Sequence, residues 1–175
     1  WYIQPNLLLV VILAIPALVF YIISKIRYCL YKFRFLDSYK LPVPVIIIGN
    51  ISVGGVGKTP LTKMLALQLQ NQGKNVGIIL RGYKSQNKMP CIVHPDSDSA
   101  KVGDEALIYA INGLKVAIGS DRYQAGLKLL EAYTYLDLIL ADDGLQHYKL
   151  QRDFEIAVVD GTRLFGNRLV LPIGP

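Results

Sequence analysis

The sequence predicts an α/β fold, an open parallel sheet with helices on both faces, preceded by one N-terminal membrane helix. Three observations carry this expectation. From residue 40 onward, short unbroken apolar runs alternate with longer amphipathic stretches, the pattern of buried parallel strands joined by crossover helices. A glycine-rich turn stands between the first such strand and the first such helix. Finally, Leu7 to Ile23 carries no charge, reading LLLVVILAIPALVFYII.

The elements follow in order. Seventeen uncharged residues would make a helix of roughly 26 Å, slightly short of a ~30 Å hydrocarbon core. Counting back to Trp1 supplies the missing length, with Trp1 and Tyr2 suited to an interface. Lys25, Arg27, Lys32 and Arg34 follow, interleaved with Tyr28, Tyr31, Phe33 and Phe35. That collar belongs at a lipid headgroup layer, and its positive charge places the following domain on the cytoplasmic side. A cleaved signal peptide has the reverse order of charge and apolar run; the unbroken apolar character all round the helix counts against the alternative of a buried core helix.

Val43–Ile48 reads as a buried strand, Lys58–Gln72 as a helix and Val76–Leu80 as a second strand. Residues 84–101 are polar with two prolines and read as an exposed loop around one short edge strand. Gly103–Asn112 reads as a helix, Lys115–Ile118 as a strand, and Ser120–Tyr133 as a helix capped by Ser120. Leu136–Ala141 and Glu155–Val159 are two further strands. The chain of 175 residues is long enough for one such domain plus an appended segment. Residues 1–39 are expected to be the membrane-anchoring helix with its basic and aromatic flank, and 40–175 the α/β domain. The opening at Trp1 and the stop at Gly174-Pro175 read as a domain incomplete at its C-terminal end.

The composition narrows the partners. A formal charge of +6 and pI near 9.3 suit nucleic acid, anionic lipid or phosphorylated substrates. No long Lys/Arg run of the nucleic-acid type occurs, which counts against that class. Cys29 and Cys91 lie far apart without metal-ligand spacing around them, as free thiols in a reducing cytosol would.

The first strand runs straight into Gly49-Asn50-Ile51-Ser52-Val53-Gly54-Gly55-Val56-Gly57-Lys58-Thr59. This matches the phosphate-loop consensus G-x-x-x-x-G-K-[ST] everywhere except its first position, which is Ser52. The segment from Ser52 to Thr59 would wrap a nucleotide's phosphates, its glycines letting backbone N–H groups point inward at a helix N-terminus. Lys58 would reach the β- and γ-phosphates, and the Thr59 hydroxyl would ligate Mg²⁺. The context makes the sheet P-loop NTPase-like.

Leu136–Ala141 closes on Asp142-Asp143-Gly144, an apolar strand ending in carboxylates as a Walker B segment does, beside the Mg²⁺ of Thr59. Asp104, in Gly103-Asp104-Glu105, has two readings: a helix N-cap, or a carboxylate that serves as base. Arg81-Gly82-Tyr83 lies at the carboxyl end of the second strand, where ligands of open α/β sheets gather. Arg122 falls in the first turn of a helix, where it opposes the dipole, which points to another role, such as holding a phosphate. His147, in Gln146-His147-Tyr148, follows the acidic pair closely.

Taken together, GNISVGGVGKTP (49–60), RGY (81–83), GDE (103–105), SDR (120–122), DDGLQHYKL (142–150) and VVDGTRLFGN with LPIGP (158–175) resemble the lipid A 4'-kinase (tetraacyldisaccharide 4'-kinase) family of Gram-negative bacteria. The match runs in order across nearly the whole chain. DDGLQH and the phosphate loop with Ser or Thr in place of its first glycine are specific, so the departure at Ser52 is family-like. The resemblance implies transfer of the γ-phosphoryl group of ATP, with Mg²⁺, to the 4'-hydroxyl of a tetraacylated disaccharide 1-phosphate, a lipid A precursor. It places this at the cytoplasmic face of the bacterial inner membrane, among inner-membrane lipid. It implies Lys58 and Thr59 at the nucleotide and metal, Asp142 and Asp143 organising the metal, and Asp104 as catalytic base. Arg122 and His147 match motif positions that serve the active site. Members of the family continue beyond the point matching Pro175, through a second lobe with a histidine that assists the base.

Two other classes fit less well. A partitioning-type ATPase switch at a membrane usually has a lysine early in the loop, and Val53 stands there. A nucleotide-sensing module of a transporter gains little from a single apolar segment.

Overall fold

The computed structural model of the chain describes residues 7–52, 55–82, 89–162 and 164–174. The expectations for Trp1, Tyr2, Val53, Gly54 and Tyr83 lie outside the described residues. The first helix, α1 (Leu7–Lys32), continues past the apolar run through the basic collar and contains Pro16. Its residues Val10–Lys32 are long and apolar enough to cross a membrane, with a mean hydropathy of 2.1 and only 6% of the apolar window buried. Among the described residues this helix is not packed into a core: Val11, Ile12, Ile15, Leu18 and Ile22 face outward as an apolar surface.

Six strands form the sheet among the described residues: β1 (Val45–Asn50), β2 (Val76–Leu80), β3 (Cys91–Val93), β4 (Lys115–Ile118), β5 (Leu138–Asp142) and β6 (Phe154–Val158). Their spatial order is β3-β4-β2-β5-β1-β6. All neighbours pair in parallel except β3, which runs antiparallel to β4 at the edge. The parallel sheet thus carries one antiparallel edge strand, β3, which follows Pro90 in the polar 84–101 segment where a short edge strand is expected. A short helix, α3 (Ser99–Val102), occupies the end of that segment, capped by the Asp98 carboxylate on the Ala100 N–H at 3.0 Å.

Helices α2 (Lys58–Asn71), α4 (Asp104–Ile111) and α5 (Arg122–Ala132) complete the layers. One core contains Ala66 of α2 and Ala106, Tyr109 and Ala110 of α4 against Ile48, Ile78, Val116 and Leu140. The opposite core sets Ala125 and Leu129 of α5 against Ile47, Ile79, Ala117 and Ile139. Successive strand residues thus feed opposite faces, so β2 and β5 are buried on both sides. Leu41 fills the second core, and beyond it Tyr39 bridges in parallel to Leu150. Tyr39 N–H donates to the Lys149 carbonyl and Gln151 N–H to the Tyr39 carbonyl, both at 2.8 Å. The end of α1 is thereby stitched to the segment that follows β5.

Candidate active site

The carboxyl ends of β1 and β5 lie side by side, with Ile48 in register with Asp142. Everything beyond those two ends therefore shares one rim of the sheet. Gly49 permits the close approach: a Cβ there would stand 2.7 Å from Leu145 Cγ, in the turn after β5. Gly57 adopts φ 82° at the start of α2, a left-handed conformation that a side chain would strain. The described part of the phosphate loop accordingly ends on free N–H groups at a helix N-terminus, a setting for an anion.

Lys58 Nζ donates to Asn50 Oδ1 at 2.5 Å and to Asp143 Oδ1 at 2.7 Å. Asn50 in turn donates from Nδ2 to the Ser52 carbonyl. Asp143 reaches Lys58 because its backbone takes φ 54° just after β5, and aspartate tolerates that region better than most residues do. Its side chain is 69% exposed, so the ion pair is open to exchange with a phosphate.

Asp142 behaves differently. It is 3% exposed, and its Oδ2 accepts from the Tyr109 hydroxyl at 2.5 Å while Oδ1 accepts from Thr62 Oγ1 at 3.5 Å. Burial raises the Asp142 carboxyl above its ordinary range, with the Asp143 charge adding to the rise and the Tyr109 hydrogen bond working against it. The same burial and the same carboxylate push the Tyr109 phenol well up. Tyr109 also lies 3.4 Å from the Thr59 carbonyl, joining α4 to the first turn of α2 and to the end of β5.

The lysine–threonine pair of the loop and the double aspartate therefore meet at one place. Oxygen donors from Thr59, Asp142 and Asp143 suit a hard divalent cation. Among the described residues no cluster of three or more His, Cys, Asp or Glu side chains forms a closed metal cage. Mg²⁺ in nucleotide sites is held by one or two carboxylates and completed by phosphate oxygens and water.

Glu105 belongs to the same neighbourhood, a residue the sequence reading passed over in favour of Asp104. Its carboxyl is raised first by burial, then by Asp142 and Asp143, while Lys58 pulls the other way. Asp104 is the first residue of α4 and not its cap; Gly103 holds the cap position at φ 87° without a side-chain bond. The capping account of Asp104 is thus removed, and its side chain is exposed in the first turn of α4.

On the other side of the rim, α5 is capped by Asp121, correcting Ser120. Asp121 Oδ1 accepts from Tyr123 N at 3.0 Å and Gln124 N at 3.3 Å, and Oδ2 pairs with Lys149. Arg122 is 3% exposed. Its Nη1 donates to the Gly119 carbonyl at 3.1 Å and Nη2 to the Asp143 carbonyl at 3.4 Å, while Nε has no partner among the described residues. Burial pulls its guanidinium down to about 10, and nearby Arg81 adds to the depression. His147 Nε2 accepts the Arg122 backbone N–H at 3.3 Å. Burial first, then the Arg122 charge, push the imidazole down to about 4, so it is neutral at pH 7. A nitrogen that accepts from the backbone is committed to holding α5, which makes His147 a positioning residue at this rim.

A cavity of about 460 Å³ opens between these groups, lined by Arg27, Asn50, Ile51, Ser52, Lys58, Arg81, Ser120, Arg122, Asp143, Leu145, Gln146, His147 and Leu171. Four of its residues are cationic against one carboxylate, so it favours phosphorylated ligands. Tyr109 and Asn50 were not legible beforehand: an apolar-helix tyrosine reads as core, and an asparagine ending a strand reads as a turn.

Comparison with known proteins agrees with the geometry. Residues 9–175 match the family described as LpxK, tetraacyldisaccharide-1-P 4'-kinase. The tetraacyldisaccharide 4'-kinase of Histophilus somni is 52% identical over 161 residues, covering 91% of this chain and 48% of that protein. The Chromobacterium violaceum kinase of the same name is 47% identical over 175 residues, covering all of this chain and 51% of its own. The chain thus spans about half the length of the curated relatives it matches. The crystal structure of LpxK from Aquifex aeolicus in complex with ATP superposes with a TM-score of 0.83 at 36% identity, over 95% of this chain and 53% of that one. With its loop, aspartate pair and basic rim assembled in one place, the chain belongs to the tetraacyldisaccharide-1-phosphate 4'-kinase family.

Proposed function

We propose that the protein transfers the γ-phosphoryl group of ATP to the 4'-hydroxyl of a tetraacyldisaccharide 1-phosphate, a lipid A precursor, at the cytoplasmic face of the bacterial inner membrane. The observation that carries this is the convergence of Lys58 with Asp143, and of Thr59 with Asp142 through Tyr109. In this reading the loop from Ser52 to Thr59 binds the triphosphate and Lys58 exchanges its Asp143 partner for phosphate oxygens. Mg²⁺, held by Thr59, Asp142 and Asp143, would neutralise charge on the β- and γ-phosphates.

Asp104 accepts the proton of the acceptor hydroxyl as its oxygen forms the new bond to phosphorus. The bond from phosphorus to the bridging oxygen breaks at the same time, and ADP leaves with that electron pair. Arg122, fixed through His147 and Asp121, offers its guanidinium to an anion in the cleft. Residues 1–39 hold the domain at the membrane, where an acyl-chain substrate is concentrated and oriented.

The test is incubation of the intact protein with γ-labelled ATP and the lipid disaccharide 1-phosphate. Label moving into lipid supports the kinase; hydrolysis alone, with no labelled lipid, leaves a switch-type ATPase in its place.

A further inference from the structure

The first helix contributes more than an anchor. We propose that Arg27 of α1 is a binding residue for a phosphate monoester of the membrane-borne acceptor. This inference rests on the kinase reading and names a residue that binds the substrate at the same site.

Arg27 lies four residues past the apolar run, in the basic and aromatic flank of α1 that would suit a lipid headgroup layer, and it lines the basic cavity beside Arg122 and Lys58. Its guanidinium carbon stands 5.8 Å from the Tyr148 ring centroid. Tyr28 and Tyr31 of the same helix pack against that ring at 5.8 Å each, and Arg152 covers it at 5.6 Å. Tyr148 follows His147, the acceptor of the Arg122 backbone N–H. The helix is therefore clamped to the rim through one ring, and Arg27 is delivered to the cleft by that clamp. Its charge is felt at His147.

No ion pair among the described residues uses Arg27. Lys58 already has Asp143, and Arg122 presents a buried Nε without a partner. A magnesium nucleotide is answered by Lys58 and the loop amides, which leaves Arg27 and Arg81, beside the unpartnered Nε of Arg122, for a further anion. An excess of forked donors at headgroup depth fits a second anion, and a phosphate monoester accepts such donors in pairs. The phosphate that Arg27 meets is supplied either by the acceptor or by the nucleotide, and two Michaelis constants distinguish them.

The experiment compares intact wild type with Arg27→Ala and Arg27→Lys in mixed micelles. Arg27→Ala is expected to raise KM for the disaccharide 1-phosphate by about tenfold or more, the loss of one charge-assisted pair. KM for ATP stays at the wild-type value, and Arg27→Lys recovers part of the loss. Toward the acceptor without its 1-phosphate, wild type and Arg27→Ala should perform alike. Calorimetric titration of glucosamine 1-phosphate gives a second reading that needs no turnover, with weaker binding by Arg27→Ala expected. An unchanged acceptor KM, a rise in ATP KM instead, or equal titrations would overturn the assignment. Were wild type to transfer no label at all, the kinase reading would fall while the titration still decided Arg27.

Discussion

Protonation of His147 is the perturbation that reports most directly on how the basic rim is held. The imidazole is pushed from an ordinary 6.5 to about 4 by burial and by the Arg122 charge, and its Nε2 accepts the Arg122 N–H. A histidine depressed in the folded state binds its proton more readily in the unfolded chain. Its contribution is therefore fully present above pH 6.5 and is lost as pH falls from 6.5 toward 4. At about 1.4 kcal/mol per unit, the shift corresponds to a loss on the order of 3 kcal/mol once both states are protonated. With two histidines in the chain, His94→Asn leaves a single imidazole for observation. Its ring-proton resonances, titrated by NMR in detergent micelles, should move near pH 4 and stay flat through 6.5. Denaturant unfolding at pH 7 and pH 5 should differ in the same sense, and His147→Gln should flatten that difference. A midpoint near 6.5 in the folded protein would refute the reasoning, since it would mean that neither burial nor Arg122 constrains the ring.

Other outcomes follow from the same rim. Tyr109→Phe leaves the buried Asp142 Oδ2 without its donor, which should cost about 1–3 kcal/mol of stability and raise the Mg²⁺ concentration needed for half-maximal turnover, read by thermal melts and a metal titration. Asp104→Ala should cut turnover by at least about a hundredfold with ATP affinity nearly unchanged in equilibrium binding; near-wild-type turnover would remove Asp104 from the chemistry. Asp121→Ala should destabilise by about 1 kcal/mol, while Ser120→Ala should leave the melting curve in place, because Asp121 caps α5.

Much of the fold was legible because local rules and tertiary packing agree along the buried strands. Val76–Leu80 and Lys115–Ile118 were read residue for residue, since continuous apolar runs bounded by polar turns have one good use in an α/β domain. The first strand slipped by two residues. Pro44 has no N–H for a ladder, so pairing begins at Val45, whose own N–H is taken by Asp153 Oδ2 at 2.9 Å. The fifth strand starts later than expected because Asp137 is spent on the Asn75 N–H at 2.7 Å. At α5, Ser120 and Asp121 are adjacent candidates for the same cap, and only the path of the chain decides between them.

By itself the sequence marked the segments from which the candidate site is built: a lysine and threonine at the end of a glycine turn, two aspartates at the end of an apolar run, and a charge-free helix with a basic flank. Those are properties of short segments, readable because residues close in sequence share one local geometry. The tertiary structure alone decided what those segments are to one another. It set Asp142 beside Ile48 by strand register, tied it to Thr59 through a tyrosine on α4, and turned His147 into a support for Arg122. It also brought an arginine of the first helix to the rim across the Tyr148 ring. Such contacts join residues separated by tens of positions, and no local preference encodes them; they exist because the strand order places the ends of β1 and β5 side by side.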